Sequence, residues 1–455
     1  MATTTKYSHA FLVGSFNGEL KPEMLDKDSQ NWTKEIIPIS PQEDEKRYAR
    51  DKGYNGLFTL YYKAHLDAML EAQDVKRPKF LNSVHHYIHE IKNNNRNNQK
   101  ENLITLSLKK GRFPNLIPYE YKFKLCRLHF YFFPLDIVLF AIEIDDKGTK
   151  LDDLTAAHSS LMEDWDADSF NNNKLADLMT PLTEHLDTNK SNRLTKDGNK
   201  LKIFQTVKIQ TSKIEDDLLY EIGSSCPIGC IKSGNRPDMK PSETYFNKIL
   251  NENSVSTFDN WKGLALVDSF TMLGKEDSFD ENDCNFLYFP LIYLRCIFEK
   301  TFCFSRNNAY REDNADLKSL PQDIEQMEKY YFYDNISYNF QPNLIYQAMA
   351  KGLGIKEERE ELSKQIKENT KKKMEAQKEK EEKRFNNILA GVSIFAVISV
   401  IWDFCSIVKD ASGVDSNHNV PIFARIFIVI GIILIAILWF KIYKGKDDGK
   451  NQDNS

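Results

Sequence analysis

The chain has 455 residues, of which 41% are hydrophobic and 28% are charged, and its formal net charge is −5. This length allows two or three domains with sizeable cores, and the slightly acidic balance argues against a general nucleic-acid-binding protein. The seven cysteines are scattered and do not form the regular framework of a secreted disulfide-rich protein. The apolar run at residues 11–13 is too short for a signal peptide, so we expect the chain to start inside the cell.

Residues 1–284 are predicted to form a cytosolic α/β domain that acts as a sensor. RLHFYFF (127–133), a turn at PLD and IVLFAIEI (137–144) predict a β-hairpin whose second strand is buried on both faces. Arg127, His129 and Lys208 are expected to be ordinary outward-facing polar positions of strands. Further strands are expected at 201–210 and 261–270, and helices at 151–165 and 212–222. This mixture predicts layers of helices packed on a sheet.

The motif HHYIHE (85–90) contains residues of metal-binding type. On a helix, His85 and His89 would lie four residues apart on one face, which suits two metal ligands. The alternative is an ordinary solvated helix surface, since no further Cys/His set is paired with the motif. CPIGC (226–230) likewise has no second cysteine pair, so a zinc site is the weaker interpretation there. No metal site is therefore predicted with either motif.

The loop around CPIGC, residues 223–237, is rich in Gly and Ser and contains Lys232, Asn235 and Arg236. Backbone amides beside cations can hold phosphate, so these three residues are candidate ligand-binding residues. The spacing of a Walker A loop is absent, and an ordinary polar connection is the competing interpretation. No nucleophile–base pair or carboxylate dyad can be singled out, so the sequence gives an enzyme no positive support.

Residues 285–387 are predicted to be helical. FLYFPLIYLRCIFEKTFCF (286–304) is apolar but contains three charges, which suits a packed helix better than a membrane span. Of the 29 residues in 356–384, 20 are charged, and none is Gly or Pro. We expect a long stalk helix that meets other helices along a thin stripe including Ile355, Leu362 and Ile366. A flexible charged linker is the alternative.

Two apolar segments follow, Ile388–Val408 and Val420–Phe440, each of 21 residues with a single charge. About 20 apolar residues cross a bilayer as a helix, so 388–440 predicts a transmembrane hairpin. The alternative is a pair of buried helices in a soluble domain. Seven basic residues in 371–384 and a basic tail at 441–455 predict a cell inner membrane protein with both termini cytoplasmic.

The first span carries a small and increasingly polar stripe. At about 100° per residue, one face collects Val392, Ala396, Ser399, Asp403 and Ser406. Several copies of this face would line a pore with hydroxyls and carboxylates and would favour cations. In the rival interpretation, Asp403 pairs with Arg425 at the same depth of the second span and is structural. Both can hold if one carboxylate oxygen faces the pore.

This order of parts resembles the CorA superfamily of divalent-cation transporters: a cytosolic α/β domain, a long charged helix, two spans and a basic tail. The resemblance implies a homopentamer whose first spans line the pore. The family's Gly-Met-Asn at the outer end of span one is missing, since the chain has WDFCSIVKDASG there, and magnesium selectivity is not implied. CorA-like proteins without this motif also occur as antiviral membrane effectors of type III CRISPR systems.

The preferred hypothesis is therefore a homo-oligomeric ion channel or transporter, embedded in the lipid bilayer and gated through its cytosolic domain. By resemblance, the gating ligand would be a nucleotide second messenger such as SAM-AMP or a cyclic oligoadenylate, and the cargo a divalent cation. A second hypothesis is a membrane-anchored sensor or scaffold that conducts nothing. A membrane-tethered enzyme is the weakest of the three, and direct nucleic-acid binding is not expected.

Overall fold

The computed structural model describes residues 5–17, 20–35, 85–91, 103–108, 119–146, 149–163, 179, 183, 193–195, 200–232, 239–279, 289–311, 320–332, 334–336, 340–411, 429, 431 and 433. The chain divides into two compact units, Met1–Leu362 and Ser363–Ser455. The predicted boundary between residues 284 and 285 falls inside the first unit. A mixed, sheet-rich N-terminal region precedes a helical C-terminal region, which is the coarse form of the predicted architecture.

The strands of the first unit belong to one sheet. Their bounds are β1 Thr5–Asn17, β2 Thr33–Glu35, β3 His85–Glu90, β4 Leu103–Leu108, β5 Tyr119–Phe132, β6 Val138–Asp146, β7 Arg193–Thr195, β8 Lys202–Ile209, β9 Ser254–Phe258, β10 Trp261–Ala265 and β11 Ser269–Lys275. The order across the sheet is β2-β3-β5-β6-β1-β8-β11-β10-β9, with β4 beside β5 and β7 beside β1. Strands β8 and β11 are parallel, and the other pairs are antiparallel.

The predicted hairpin at 127–144 is confirmed as β5 and β6, which pair antiparallel. Leu135 and Asp136 close it with φ values of 61° and 59°. The amide of Phe133 donates to the carbonyl of Ile137 at 2.9 Å, so the connection consists of the three residues 134–136, the predicted PLD turn. Strand β6 is buried on both faces from Val138 to Ile144, as its continuous apolar sequence predicts.

The helices have the bounds α1 Pro22–Lys27, α2 Leu151–Glu163, α3 Asp216–Gly223, α4 Glu243–Asn253, α5 Phe289–Arg311, α6 Leu320–Tyr330, α7 Phe340–Gly352 and α8 Ile355–Ala411. Helix α4 begins at an N-cap, where the side chain of Ser242 accepts a hydrogen bond from the Tyr245 amide at 3.3 Å. Gly354, with a φ of +69°, separates α7 from α8. A glycine in this conformation commonly ends a helix because it has no Cβ to clash.

Helices α2 and α3 cover one face of the sheet at strand β8. Leu201, Ile203, Val207 and Ile209 are fully buried there in two apolar clusters. A polar network lies among them: Gln205 accepts from His158 Nδ1 at 2.7 Å and donates to Thr271 Oγ1 at 2.8 Å. Burial lowers the pKa of His158 to about 4, so this imidazole is neutral at physiological pH.

Helix α5 is a packed helix of the first unit, as the three charges within residues 286–304 predict. Arg295 and Glu299 are one turn apart, with 2.9 Å between Nε and Oε1, and both are buried. Tyr346 of α7 donates to Glu299 Oε2 at 3.0 Å. Lys300 donates to the carbonyl of Leu353 at 2.7 Å. The charges of this apolar segment therefore join α5 to α7 instead of entering lipid.

Two expectations about local structure are wrong. Residues 85–90 form strand β3 and not a helix, because six consecutive residues pair with β5. In a strand, His85 and His89 are separated by about 13 Å, too far to hold one metal ion. The strand expected at 261–270 is two strands, since the chain reverses between β10 and β11.

Candidate functional site

Helix α8 contains a segment, Met374–Phe404, that is long and apolar enough to cross a membrane. Its most apolar 18-residue window has a mean hydropathy of 1.9, and no part of this window is buried within the chain. In the part of the chain that the structure describes, no other helix has this property. The apolar residues of α5, in contrast, are covered by protein. Helix α8 is therefore the candidate membrane helix.

The exposure of this segment differs between its faces. The predicted pore stripe, Val392, Ala396, Ser399, Asp403 and Ser406, is exposed throughout. On the opposite side, Ile394, Val397 and Ile401 are partly covered. A Cβ added at Gly431 would overlap the side chain of Ile401, so the chain approaches α8 closely from that side. Arg425, and with it the predicted ion pair, lies outside the described residues.

Backbone amides of the CPIGC loop donate hydrogen bonds to carboxylates of the same chain. Glu221 accepts hydrogen bonds from the amides of Gly229 at 2.8 Å and Ile231 at 3.0 Å. Asp152 accepts from the amide of Ile228 at 3.0 Å. Burial raises the pKa of the Glu221 carboxyl, although the two amide hydrogen bonds oppose this shift. These amides, which were expected to hold a phosphate, already bind carboxylates of the protein.

Lys232, the predicted cationic residue of the loop, is also paired with carboxylates of the chain. Its ammonium forms ion pairs with Glu215 and with Asp217, the latter at 3.3 Å. Two carboxylates beside the lysine repel an incoming anion, so the geometry does not support the predicted phosphate site at this residue. Asn235 and Arg236 lie outside the described residues. Among the residues whose placement is described, no group of His, Cys, Asp and Glu is arranged to hold a metal ion.

A buried chain of ionisable side chains crosses four strands of the sheet. Glu143 of β6 is 2% exposed and lies between two histidines. The distance from His9 Nε2 to Glu143 Oε1 is 3.2 Å, and that from His129 Nε2 to Oε2 is 3.1 Å. His86 continues the chain, with 3.0 Å between its Nε2 and His129 Nδ1. Arg127 Nε lies 3.7 Å from the same Oε2.

The register of the strands explains this arrangement. Ala141 is opposite His129, and Asp145 is opposite His9, so each histidine is diagonal to Glu143 across a strand pair. Side chains on such diagonals are about 7–8 Å apart at their Cα atoms, within reach for long side chains. The aromatic ring of Tyr131 stacks on His86 with ring centroids 4.3 Å apart. The sheet therefore holds these rings in a fixed order.

The electrostatics of Glu143 follow from these contacts. Burial alone would raise its pKa, but hydrogen bonds and positive charge from His129 and His9 outweigh burial and hold the pKa well below its ordinary range. A carboxylate can only accept, so the Nε2 atom of His129 carries the proton of that bond. The direction of the next hydrogen bond, between His129 Nδ1 and His86 Nε2, depends on the tautomers of the two rings.

The sequence does not predict this cluster. His129 and Lys208 are expected to be outward-facing polar residues, yet both are buried. That expectation is wrong because both faces of the sheet are covered here, so the alternation of polar and apolar residues does not separate solvent from core. One feature of the sequence indicates part of the cluster: Arg127 and His129 are two residues apart on one strand, so their side chains lie on the same face. The contribution of β1 and β6 depends on pairings that a single sequence does not specify.

The start of α8 is fixed to the first unit by several contacts. Asn307 of α5 donates to Glu358 Oε2 at 3.1 Å, and the Arg359 guanidinium lies over the Phe332 ring at 4.3 Å. Ile355 and Leu362 are buried in the same chain. The predicted stripe of α8 therefore packs against its own unit at these two positions. Gly352, at the end of α7, lies against the backbone of Ala265 in β10.

Comparison with known proteins adds no relative: no family model, curated protein or solved structure matches this chain.

Proposed function

We propose that this chain is a subunit of a homo-oligomeric, CorA-like membrane ion channel or transporter that is gated through its cytosolic unit. The observation that carries the proposal is the continuity of α8, Ile355–Ala411. One uninterrupted helix begins among contacts to the sheet-rich unit and ends in the exposed apolar segment. A helix transmits displacement along its axis, because each turn is hydrogen-bonded to the next.

The two faces of the apolar segment support an oligomeric pore. Ile394, Val397 and Ile401 are the partly covered side, and the approach of Gly431 to Ile401 agrees with a second span packed there. The stripe containing Ser399 and Asp403 is left for other copies of the chain. Two helices cannot enclose a pore, so several subunits are needed, and the CorA resemblance favours five.

The gating ligand proposed from the same resemblance is a nucleotide second messenger, such as SAM-AMP or a cyclic oligoadenylate, and the cargo is a divalent cation. The pairing of Lys232 with acidic residues argues against this lysine as the residue that binds the phosphate of the gating ligand.

A non-conducting, membrane-anchored sensor is the alternative function. It keeps the same membrane helix but needs no polar stripe, so ion flux separates the two.

The test is cation flux in liposomes that contain the purified full-length protein. We expect flux that depends on protein and falls in Asp403→Asn, because the ring of carboxylates loses its charge. Ser399→Ala and Ser393→Ala form a matched pair, since Ser393 lies outside the stripe and donates to its own helix at Leu389. Only the Ser399 change should alter conductance. A well-inserted protein without flux under any tested ligand would favour the anchored sensor.

A further inference from the structure

The charges of α8 just before the apolar segment are sorted onto different faces. Each residue turns the helix by about 100°, so the residues of 369–387 can be placed by angle around its axis. One sector of about 120° then contains basic residues and no acidic residue. We name this sector the basic stripe; its positions are Lys372, Lys373, Lys380, Lys383 and Arg384. The acidic residues of the segment lie on the remaining faces, together with two other lysines. These positions are Lys371, Glu375, Lys378, Glu379, Glu381 and Glu382.

The ion pairs along this helix neutralise the mixed faces. Lys371 lies 4.0 Å from Glu375, so charges of both signs compensate each other there. At the edge of the basic stripe, Lys383 lies 2.7 Å from Glu379. Lys372, Lys380 and Arg384 are exposed. The basic stripe therefore presents a net positive face to its surroundings.

The direction of this face follows from the helix itself. Met374 and Phe385 lie about 40° or less from the mean direction of the predicted pore stripe, and both are exposed. The basic stripe points to the opposite side, in phase with Ile394 and Ile401. In an oligomer with the pore stripe at its centre, the basic stripe would face away from the pore axis, at the outer side of the helix ring.

The distance from the membrane is also set by the helix. Arg384 precedes Ile388, the first residue of the predicted span, by about 6 Å along the axis, and Lys380 precedes it by about 12 Å. The headgroup layer of a bilayer is about 5–8 Å deep, and charges act across about 8 Å at physiological ionic strength. Lys372, about 24 Å away, is out of range.

We propose that the basic stripe, through Lys380 and Arg384, binds the headgroups of anionic phospholipids in the cytoplasmic leaflet. The inference rests on the proposed membrane crossing of α8 but not on ion conduction. Charge complementarity selects this partner: a positive face at headgroup depth fits a phosphate-bearing lipid with net negative charge. Such binding would hold the start of the span at a fixed depth.

The experiment measures lipid binding by the detergent-purified, full-length protein with native mass spectrometry. Phosphatidylglycerol and phosphatidylcholine are offered in equal amounts. We expect the wild type to prefer phosphatidylglycerol, and Arg384→Gln to reduce this preference about fivefold. Lys380→Gln should reduce it less because it lies farther from the membrane, and Lys372→Gln should leave it unchanged. High salt should weaken the preference in the wild type.

The control is the pair Lys371→Gln/Lys378→Gln, which removes the same charge as Lys380→Gln/Arg384→Gln from another face. All four side chains are exposed, so neither variant should disturb folding. An equal loss in both double variants, or no lipid preference in the wild type, would overturn the inference.

Vesicle flotation after a carbonate wash tests the membrane crossing separately. Protein that floats without lipid preference refutes only the basic stripe, whereas protein that fails to float refutes the crossing as well.

Discussion

At the scale of the residue, Glu143 is a buried charge held between two rings. The imidazoles of His9 and His129 contact its two oxygens, and all three side chains are buried. A buried carboxylate is stable only when its partners replace the lost hydration. The cluster thus depends on all its members, and removing the carboxylate charge should affect the unit more than any exposed ion pair.

Glu143→Gln should lower the stability of the first unit by about 3 kcal/mol at pH 7.5, because it leaves two buried donors without an anion. The native pKa of Glu143 lies below its unfolded value of about 4.3, so its stabilisation is present above that pH and disappears as the pH falls further. The wild type and the variant should therefore converge in acid. Thermal unfolding of the purified protein at several pH values measures the difference.

The control for this prediction is Glu276→Gln. Glu276 lies 3.8 Å from Lys6, and both side chains are exposed, so its loss should change stability by less than about 1 kcal/mol. Equal melting temperatures for Glu143→Gln and the wild type at pH 7.5 would show that the carboxylate charge does not stabilise the cluster.

At the scale of the element, the sequence predicts best where pattern and turn chemistry agree. The β5–β6 hairpin follows from a continuous apolar strand beside a tight turn, and α2 is expected at residues 151–165. The motif at 85–90 contains Tyr87 and Ile88, which favour strands, but its i, i+4 histidines suggest a helix. Pairing with β5 decides the outcome, and this pairing is a tertiary contact. The histidine cluster could not be predicted for the same reason.

The contact between α7 and β10 gives a prediction for one glycine. A Cβ at Gly352 would lie 2.6 Å from the backbone carbonyl of Ala265, so Gly352→Ala must separate α7 from the sheet. We expect a loss of about 1–3 kcal/mol, the usual result of overpacking. Gly391→Ala is the matched control, because nothing lies within 4 Å of its added Cβ. Thermal unfolding of both variants provides the measurement, and equal midpoints would contradict the close packing of α7.

At the scale of the whole molecule, the apolar surface of α8 needs a partner. Isolated apolar residues on a surface are common, but a large contiguous exposed patch marks contact with another protein or with lipid. The exposed residues include Phe395, Val400 and Trp402, which suit lipid, and Asp403, which does not. The position of this single charge is therefore an informative test of the proposed oligomer.

The last prediction concerns Asp403 and Arg425. Each lies about five residues inside the outer end of its predicted span, so an antiparallel hairpin puts them at the same depth. If they pair, Asp403→Ala and Arg425→Ala each leave one charge uncompensated in the membrane, at a cost of about 3–5 kcal/mol. Each single variant should then assemble poorly, while the double variant recovers. Asp410→Ala, beyond the predicted span, should assemble normally.

A free ring of carboxylates predicts a different pattern for the same variants. Asp403→Asn would then assemble normally but lose cation preference, and Arg425→Ala would not restore it, because the two charges do not interact. Light scattering that resolves mass measures assembly, and the reversal potential in bilayers measures selectivity. The two interpretations differ in whether the second substitution rescues the first. Wild-type assembly and selectivity in every variant would contradict both, and a monomeric wild-type protein would contradict the proposed pore.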